Sequence, residues 1–172
     1  MTTTFKNKKY KLITELIKVG TKIQLELTDK TFQPITISKF DENLEGQKAY
    51  KLAVLSVFPS INTSVCDEQT KGISELAHEF NDVRFISVSV DLPSAIEQWL
   101  GMNGKDNIEF YSDHRRRSFG QQAGFLIDEI FLLNRGFLIL DKDGTVLEVE
   151  ANSDVHQQID FNKLKELIQK HK

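Results

Sequence analysis

One cysteine occurs in the 172 residues, Cys66, and it closes the stretch Phe58-Pro59-Ser60-Ile61-Asn62-Thr63-Ser64-Val65-Cys66. Cysteine chemistry belongs to the thiolate, which is both the nucleophile and the form that is oxidised. The stretch lies between an apolar run, Leu52 to Phe58, and a segment with helical spacing from Ser64 to Phe80. A strand therefore ends at Pro59, the chain turns, and Cys66 falls in the first turn of a helix. The free N–H groups and macrodipole of a helix N-terminus favour negative charge, so an activated sulfur is expected here. Thr63 or Ser64 caps that helix with a hydroxyl. Taken alone, a single cysteine is more often a small buried hydrophobe without chemistry, so its surroundings must carry the argument.

The other reactive side chains add less. His78, His114, His156 and His171 have no metal-ligand spacing. His78 lies three turns beyond Cys66, too far along the helix to act as its base, which makes a cysteine hydrolase a poor fit. The tract His114-Arg115-Arg116-Arg117 is short and reads as a solvated face, because a nucleic-acid footprint needs many cations on one side.

Strands and helices must position Cys66, and the chain supplies them in order. Lysines 6, 8, 9 and 11 around Tyr10 suit a short edge hairpin with a charged rim. From Thr21, Ile23, Leu25 and Leu27 alternate with polar residues as a half-buried strand, and Ile35, Ile37 and Phe40 alternate again after Pro34. A polar loop is expected over Glu42 to Lys48. Leu52 to Phe58 is nearly continuous in apolar character and suits a central strand covered on both faces. The helix carrying Cys66 buries Ile73, Leu76, Ala77 and Phe80, and Gly72 is expected to weaken it by up to ~1 kcal/mol relative to alanine. Val83 to Val90 completes a βαβ unit.

Pro93 opens a second helix through Trp99 that is expected to end at Gly101. Ile108 to Tyr111 is a short strand, and Ser118 to Ala123 a short helix. Gly136 to Leu140 is another buried strand, and Asp141-Lys142-Asp143-Gly144 turns it back into Thr145 to Val149. Asp160 caps a last helix with Phe161, Leu164, Leu167 and Ile168 as its apolar stripe. The result is an α/β fold: a mixed sheet with helices on both faces, and Cys66 just past the C-terminal end of a central strand, where open α/β sheets place their sites.

Composition narrows the class. Forty per cent hydrophobic and 27% charged residues are ordinary for a globular chain, and 172 residues suit one domain, with the hairpin and strands of about 1–40 included. A net charge of −3 gives no reason to expect nucleic acid or an anionic membrane as partner. No apolar run approaches the ~18 residues of a spanning helix, and the N-terminus lacks the apolar core of a signal peptide. One cysteine makes no internal disulfide, and the expected compartment is the cytoplasm.

Pro59, Thr63 and Cys66 together match Pro-x-x-x-Thr-x-x-Cys, and the fuller Phe-Pro-Ser-Ile-x-Thr-x-Val-Cys resembles the thiol peroxidase subgroup of the peroxiredoxins. Asp91-Leu92-Pro93, Ser112-Asp113, Asn134-Arg135 and Asp141-Lys142-Asp143-Gly144 sit where that subgroup has counterparts, so the resemblance runs from about Val19 to Lys170. It implies a thioredoxin-like fold of peroxiredoxin type with an N-terminal β-hairpin, and reduction of hydrogen peroxide and organic hydroperoxides without cofactor or metal. By matching position, it implies that Cys66 is the peroxidatic nucleophile and Thr63 hydrogen-bonds thiolate and peroxide. It likewise makes Arg135 the stabiliser of thiolate and transition state, and Pro59 the shield of the pocket. The subgroup usually carries a resolving cysteine where this chain has Leu100. A one-cysteine mechanism is therefore expected, with an external thiol as reductant, whether thioredoxin or a small molecule, and a homodimer as the assembly. The competing reading is a redox sensor, in which oxidation of Cys66 alters partner binding without turnover.

Overall fold

The computed structural model describes residues 1–43, 45–105 and 107–172. Leu44, in the polar loop expected over Glu42 to Lys48, lies outside the described residues. The elements run β1 (Thr2–Phe5), β2 (Lys8–Lys11), β3 (Leu25–Thr28), β4 (Pro34–Ile37), β5 (Leu52–Val57) and α1 (Ser64–Glu79). They continue with β6 (Val83–Ser89), α2 (Pro93–Asn103), β7 (Glu109–Ser112), α3 (Ser118–Ala123), β8 (Gly136–Asp141), β9 (Val146–Ala151) and α4 (Phe161–His171).

Seven strands form one mixed sheet in the order β4-β3-β7-β6-β5-β8-β9, and β1 and β2 make the expected separate hairpin. β5 pairs parallel with β6 and antiparallel with β8, so it is flanked on both edges. All six of its residues are buried, as its unbroken apolar run requires. Alternate residues of β5 serve two cores. Ala53, Leu55 and Val57 face a cluster that contains Phe119 and Ala123 of α3. Leu52 and Val54 face a second cluster that contains Ile73 of α1, Ile96 and Trp99 of α2, and Leu164 and Ile168 of α4. Helices therefore cover both faces, and α1 rises directly from the end of the strand that anchors the sheet.

Two local expectations change. α2 runs past Gly101 to Asn103 and ends where Gly104, in the left-handed region with φ 62°, donates its N–H to the carbonyl of Leu100. Of two candidate glycines, the helix uses the later one as its C-terminal cap. The second change concerns Gly72. Its missing side chain makes room for the ring of Phe161 from α4, so a Cβ at position 72 would collide with that ring. The glycine serves packing between helices, which propensity alone does not show.

Candidate active site

Thr63 caps α1, as one of the two candidate hydroxyls was expected to do. Its Oγ1 accepts from the Cys66 N–H at 3.4 Å and donates to the Ser60 carbonyl at 3.2 Å. Cys66 is thus the third residue of the helix, inside the turn whose N–H groups have no helical partners. The Thr63 hydroxyl is exposed and is committed to this cap; it makes no hydrogen bond to the Cys66 sulfur.

Asp91, just past the end of β6, fixes the turn before the helix. Its carboxylate accepts from Ser60 Oγ at 2.8 Å, from the Ile61 N–H at 2.8 Å and from Ser89 Oγ at 2.6 Å. Parallel pairing of β5 and β6 brings their C-terminal ends side by side, which is why a residue after β6 can hold the loop after β5. Pro59 is buried beneath this turn.

Cys66 meets Arg135 where β5 ends beside the start of β8. The Arg135 guanidinium donates from Nη2 to Cys66 Sγ at 3.2 Å, from Nη1 to Gln69 Oε1 at 2.7 Å and from Nε to the Val155 carbonyl at 2.6 Å. Arg135 reaches this position because β8 runs antiparallel to β5, so that its first residues lie beside the last residues of β5. Only 2% of Arg135 is exposed, and among the described residues no carboxylate pairs with it. The other buried arginine, Arg84, is built differently: Glu109 grips it with both oxygens, at 2.6 and 2.7 Å. A buried cation without a counter-ion costs several kcal/mol. Among the described residues its donors go to Cys66 Sγ, Gln69 Oε1 and the Val155 carbonyl. The structure thus brings Arg135 and Cys66 together.

Gln69, Val155 and Gln158 were not singled out from the sequence. Gln69 stands one turn after Cys66 and has no exposed surface. Val155 and Gln158 belong to the segment between β9 and α4. Besides the Val155 carbonyl on Arg135, that segment sends Gln158 Nε2 to the Val65 carbonyl at 3.1 Å, on the first turn of α1. The N-terminal hairpin holds the segment in turn: Thr4 N–H donates to Ser153 O at 2.9 Å and Val155 N–H to Thr4 O at 3.0 Å. A glutamine three residues after the cysteine is a signal in the sequence; a backbone carbonyl twenty residues past Arg135 leaves none.

Cys66 has no solvent-exposed surface. A cleft of about 490 Å³ opens beside it, between the first turn of α1 and α2, with Thr63, Asp67, Trp99 and Met102 among its walls. Leu100 lines a different cavity, with Ile108, Phe110 and Tyr111 on the other side of α2. Among the described residues no cluster of three or more metal-ligating side chains occurs. Among the described residues no helix is long and apolar enough to cross a membrane. The Arg115 and Arg116 side chains are exposed and line a cleft of about 350 Å³ on the other face of the sheet, apart from Cys66.

Residues 19–149 match the AhpC/TSA family. Over 160 residues the chain is 37% identical to a thiol peroxidase of Bacillus subtilis, covering 93% of this chain and 92% of that one. It is 37% identical to a thiol peroxidase of Staphylococcus saprophyticus, covering 92% of each. Among solved structures, a peroxiredoxin-like protein from Aquifex aeolicus superposes with a TM-score of 0.80 at 27% identity over 96% of both chains. A thiol peroxidase from Chromobacterium violaceum shares the fold at a TM-score of 0.83 and 17% identity, over 98% of this chain and 95% of that one.

Proposed function

Since the chain belongs to the AhpC/TSA family and is a peroxiredoxin-type peroxidase that reduces peroxide at the expense of thiol, we propose that Cys66 alone carries the redox chemistry and that an external thiol resolves it. The contact of Arg135 Nη2 with Cys66 Sγ at 3.2 Å supports Cys66 as the seat of that chemistry, and the single cysteine of the sequence supports resolution from outside.

The Cys66 thiolate attacks one oxygen of the hydroperoxide along the O–O axis. An S–O bond forms as the O–O bond breaks, and the sulfur becomes a sulfenic acid. The leaving oxygen departs with the electron pair and takes a proton to become water or an alcohol. Negative charge moves from sulfur to that oxygen in this step. Arg135 remains charged throughout and offers N–H donors fixed in a plane, so it stabilises the charge wherever it travels. Thr63 holds the Cys66 N–H and so sets the first turn that carries the sulfur; its hydroxyl oxygen keeps one lone pair, which accepts from the O–H of a bound hydroperoxide. Pro59, buried beneath the turn, shields the sulfur from that side.

Resolution needs a second sulfur, and the chain has no other cysteine. A thiol from outside attacks the sulfenic sulfur, releases water and leaves a mixed disulfide. A further thiol displaces Cys66, which returns to the thiolate, while the two external thiols leave as a disulfide. The reductant is a small thiol or a thioredoxin, the working assembly a homodimer and the compartment the cytoplasm.

Mass spectrometry after one equivalent of hydrogen peroxide tests the reading. It expects one added oxygen on Cys66, or a mixed disulfide when a small thiol is present, and continuous peroxide consumption with excess thiol. Consumption that stops at one equivalent per chain would favour the redox sensor instead.

A further inference from the structure

The hairpin β1–β2 stands outside the seven-stranded sheet, yet the buried side chain of its first strand is polar. Thr3 is 1% exposed, and the residue it meets, Asn134, has no exposed surface. Thr3 Oγ1 shares its one proton between Asn134 Oδ1 at 3.0 Å and the Asn152 carbonyl at 3.1 Å. Asn134 closes the ring by donating from Nδ2 to that same carbonyl at 2.9 Å. Asn152 in turn donates its N–H to the carbonyl of Arg135 at 2.8 Å, and Asn134 directly precedes Arg135. The backbone bonds of Thr4 to Ser153 and Val155 make a second route, because the Val155 carbonyl accepts from Arg135 Nε at 2.6 Å.

We propose that Thr3 is a positioning residue for the peroxidase step: its buried hydroxyl docks the N-terminal hairpin on Asn134 and so fixes Arg135 beside Cys66. The proposal rests on the peroxidase reading above. Apolar side chains would suffice to hold the hairpin down, as its Phe5 and Tyr10 already do against Leu12, Ile127 and Val155. Burying a hydroxyl and an amide instead adds a desolvation cost that their hydrogen bonds must offset. What the polar pair adds over an apolar one is direction. A methyl tolerates sliding, whereas the hydroxyl and the amide bond well in one register only. That register reaches Arg135 at both ends of the residue. Asn152 holds its carbonyl and Val155 its guanidinium, and the hairpin holds the segment that carries them both. The first strand of the chain thus acts on the reaction without touching peroxide or sulfur.

Thr3→Val, which removes the hydroxyl and keeps the shape, tests this through the rate at which hydrogen peroxide oxidises Cys66, followed by stopped flow with a thermal melt of each variant. It is expected to slow oxidation about fivefold, the size of one hydrogen bond between neutral groups. Thr3→Ser returns the hydroxyl and should recover most of the rate. The deciding measurement repeats Thr3→Val in an Arg135→Met background. With the guanidinium gone, Thr3 has nothing left to position, so the two Arg135→Met proteins should oxidise at the same rate. An equal loss in both backgrounds would make the role merely structural, and that result overturns the proposal. An unchanged rate for Thr3→Val with Arg135 in place overturns it as well. Should Thr3→Val fail to fold, Thr3→Ala takes its place with the same two readings. Failure of the peroxidase reading looks different: wild-type Cys66 itself would not consume peroxide.

Discussion

Trp99 donates its indole N–H to Asp67 Oδ1 at 3.1 Å, tying α2 to the residue that follows Cys66. The other oxygen of Asp67 is taken by Lys71 at 2.8 Å. With Trp99 turned toward α1, Leu100 is directed into the cavity on the opposite side of α2.

A cysteine introduced at Leu100 would therefore reach the sulfenic sulfur only after α2 lets go. Leu100→Cys combined with Trp99→Phe is expected to form the internal disulfide on the order of tenfold faster than Leu100→Cys alone. The released bond runs to a charged acceptor and contributes roughly 1.5–3 kcal/mol. Quenched-flow mass spectrometry of the disulfide after one equivalent of peroxide gives both rates. Equal rates would show that the indole does not hold the helix.

Gly72→Ala separates helix propensity from packing. Propensity alone predicts a gain of up to ~1 kcal/mol. The ring of Phe161 occupies the space that the new methyl needs, so the structure predicts a net loss of about 1 kcal/mol as the ring is displaced. Urea unfolding of the two proteins settles the sign.

Burial pushes the Asp113 carboxyl up to about 6, outweighing the N–H groups of Gly120 and Phe119, which it accepts at 2.8 and 3.1 Å. A carboxyl raised in the fold is favoured there in its protonated form. Its stabilising contribution is complete below its unfolded value near 3.8 and is lost as pH rises through about 6. The expected difference is on the order of 2–3 kcal/mol. Carbon NMR of the Asp113 carboxyl should show a midpoint near 6, and unfolding free energies measured between pH 4 and 7 should carry a component that falls in that window and is absent in Asp113→Asn.

The closed surface over Cys66 predicts discrimination by size. A compact thiol reagent such as methyl methanethiosulfonate should modify Cys66 faster than the bulky dithionitrobenzoate, by more than the ratio found for free cysteine. In unfolding concentrations of guanidinium that excess should vanish. A native ratio equal to that of free cysteine would mean that nothing covers the sulfur.

How much was legible before the fold was known depends on how far each interaction reaches. Cys66 at a helix N-terminus could be read from an apolar run, a proline and helical spacing, all within twenty residues. Arg135 was singled out only through the resemblance, by the Asn134-Arg135 pair before the buried strand Gly136 to Leu140. The partners that hold it could not be read: Gln69 matters because its amide is oriented by Ser56 and Val57 on a neighbouring strand, and Val155 contributes a carbonyl, which every residue has. Asp91 was visible as a residue type beside Pro93, yet its role depends on β5 and β6 ending side by side. The end of α2 was misplaced at Gly101 because two glycines stand three residues apart and only the later one takes the left-handed conformation.

The contact between Arg135 and Cys66 is the centre of the account, and one comparison tests it most directly. Second-order rates of Cys66 oxidation by hydrogen peroxide are measured by stopped flow for wild type and Arg135→Met, both checked for native fold by circular dichroism. Loss of preorganised charge beside a developing oxyanion predicts a fall on the order of a hundredfold. An unchanged rate in a folded Arg135→Met protein would contradict it.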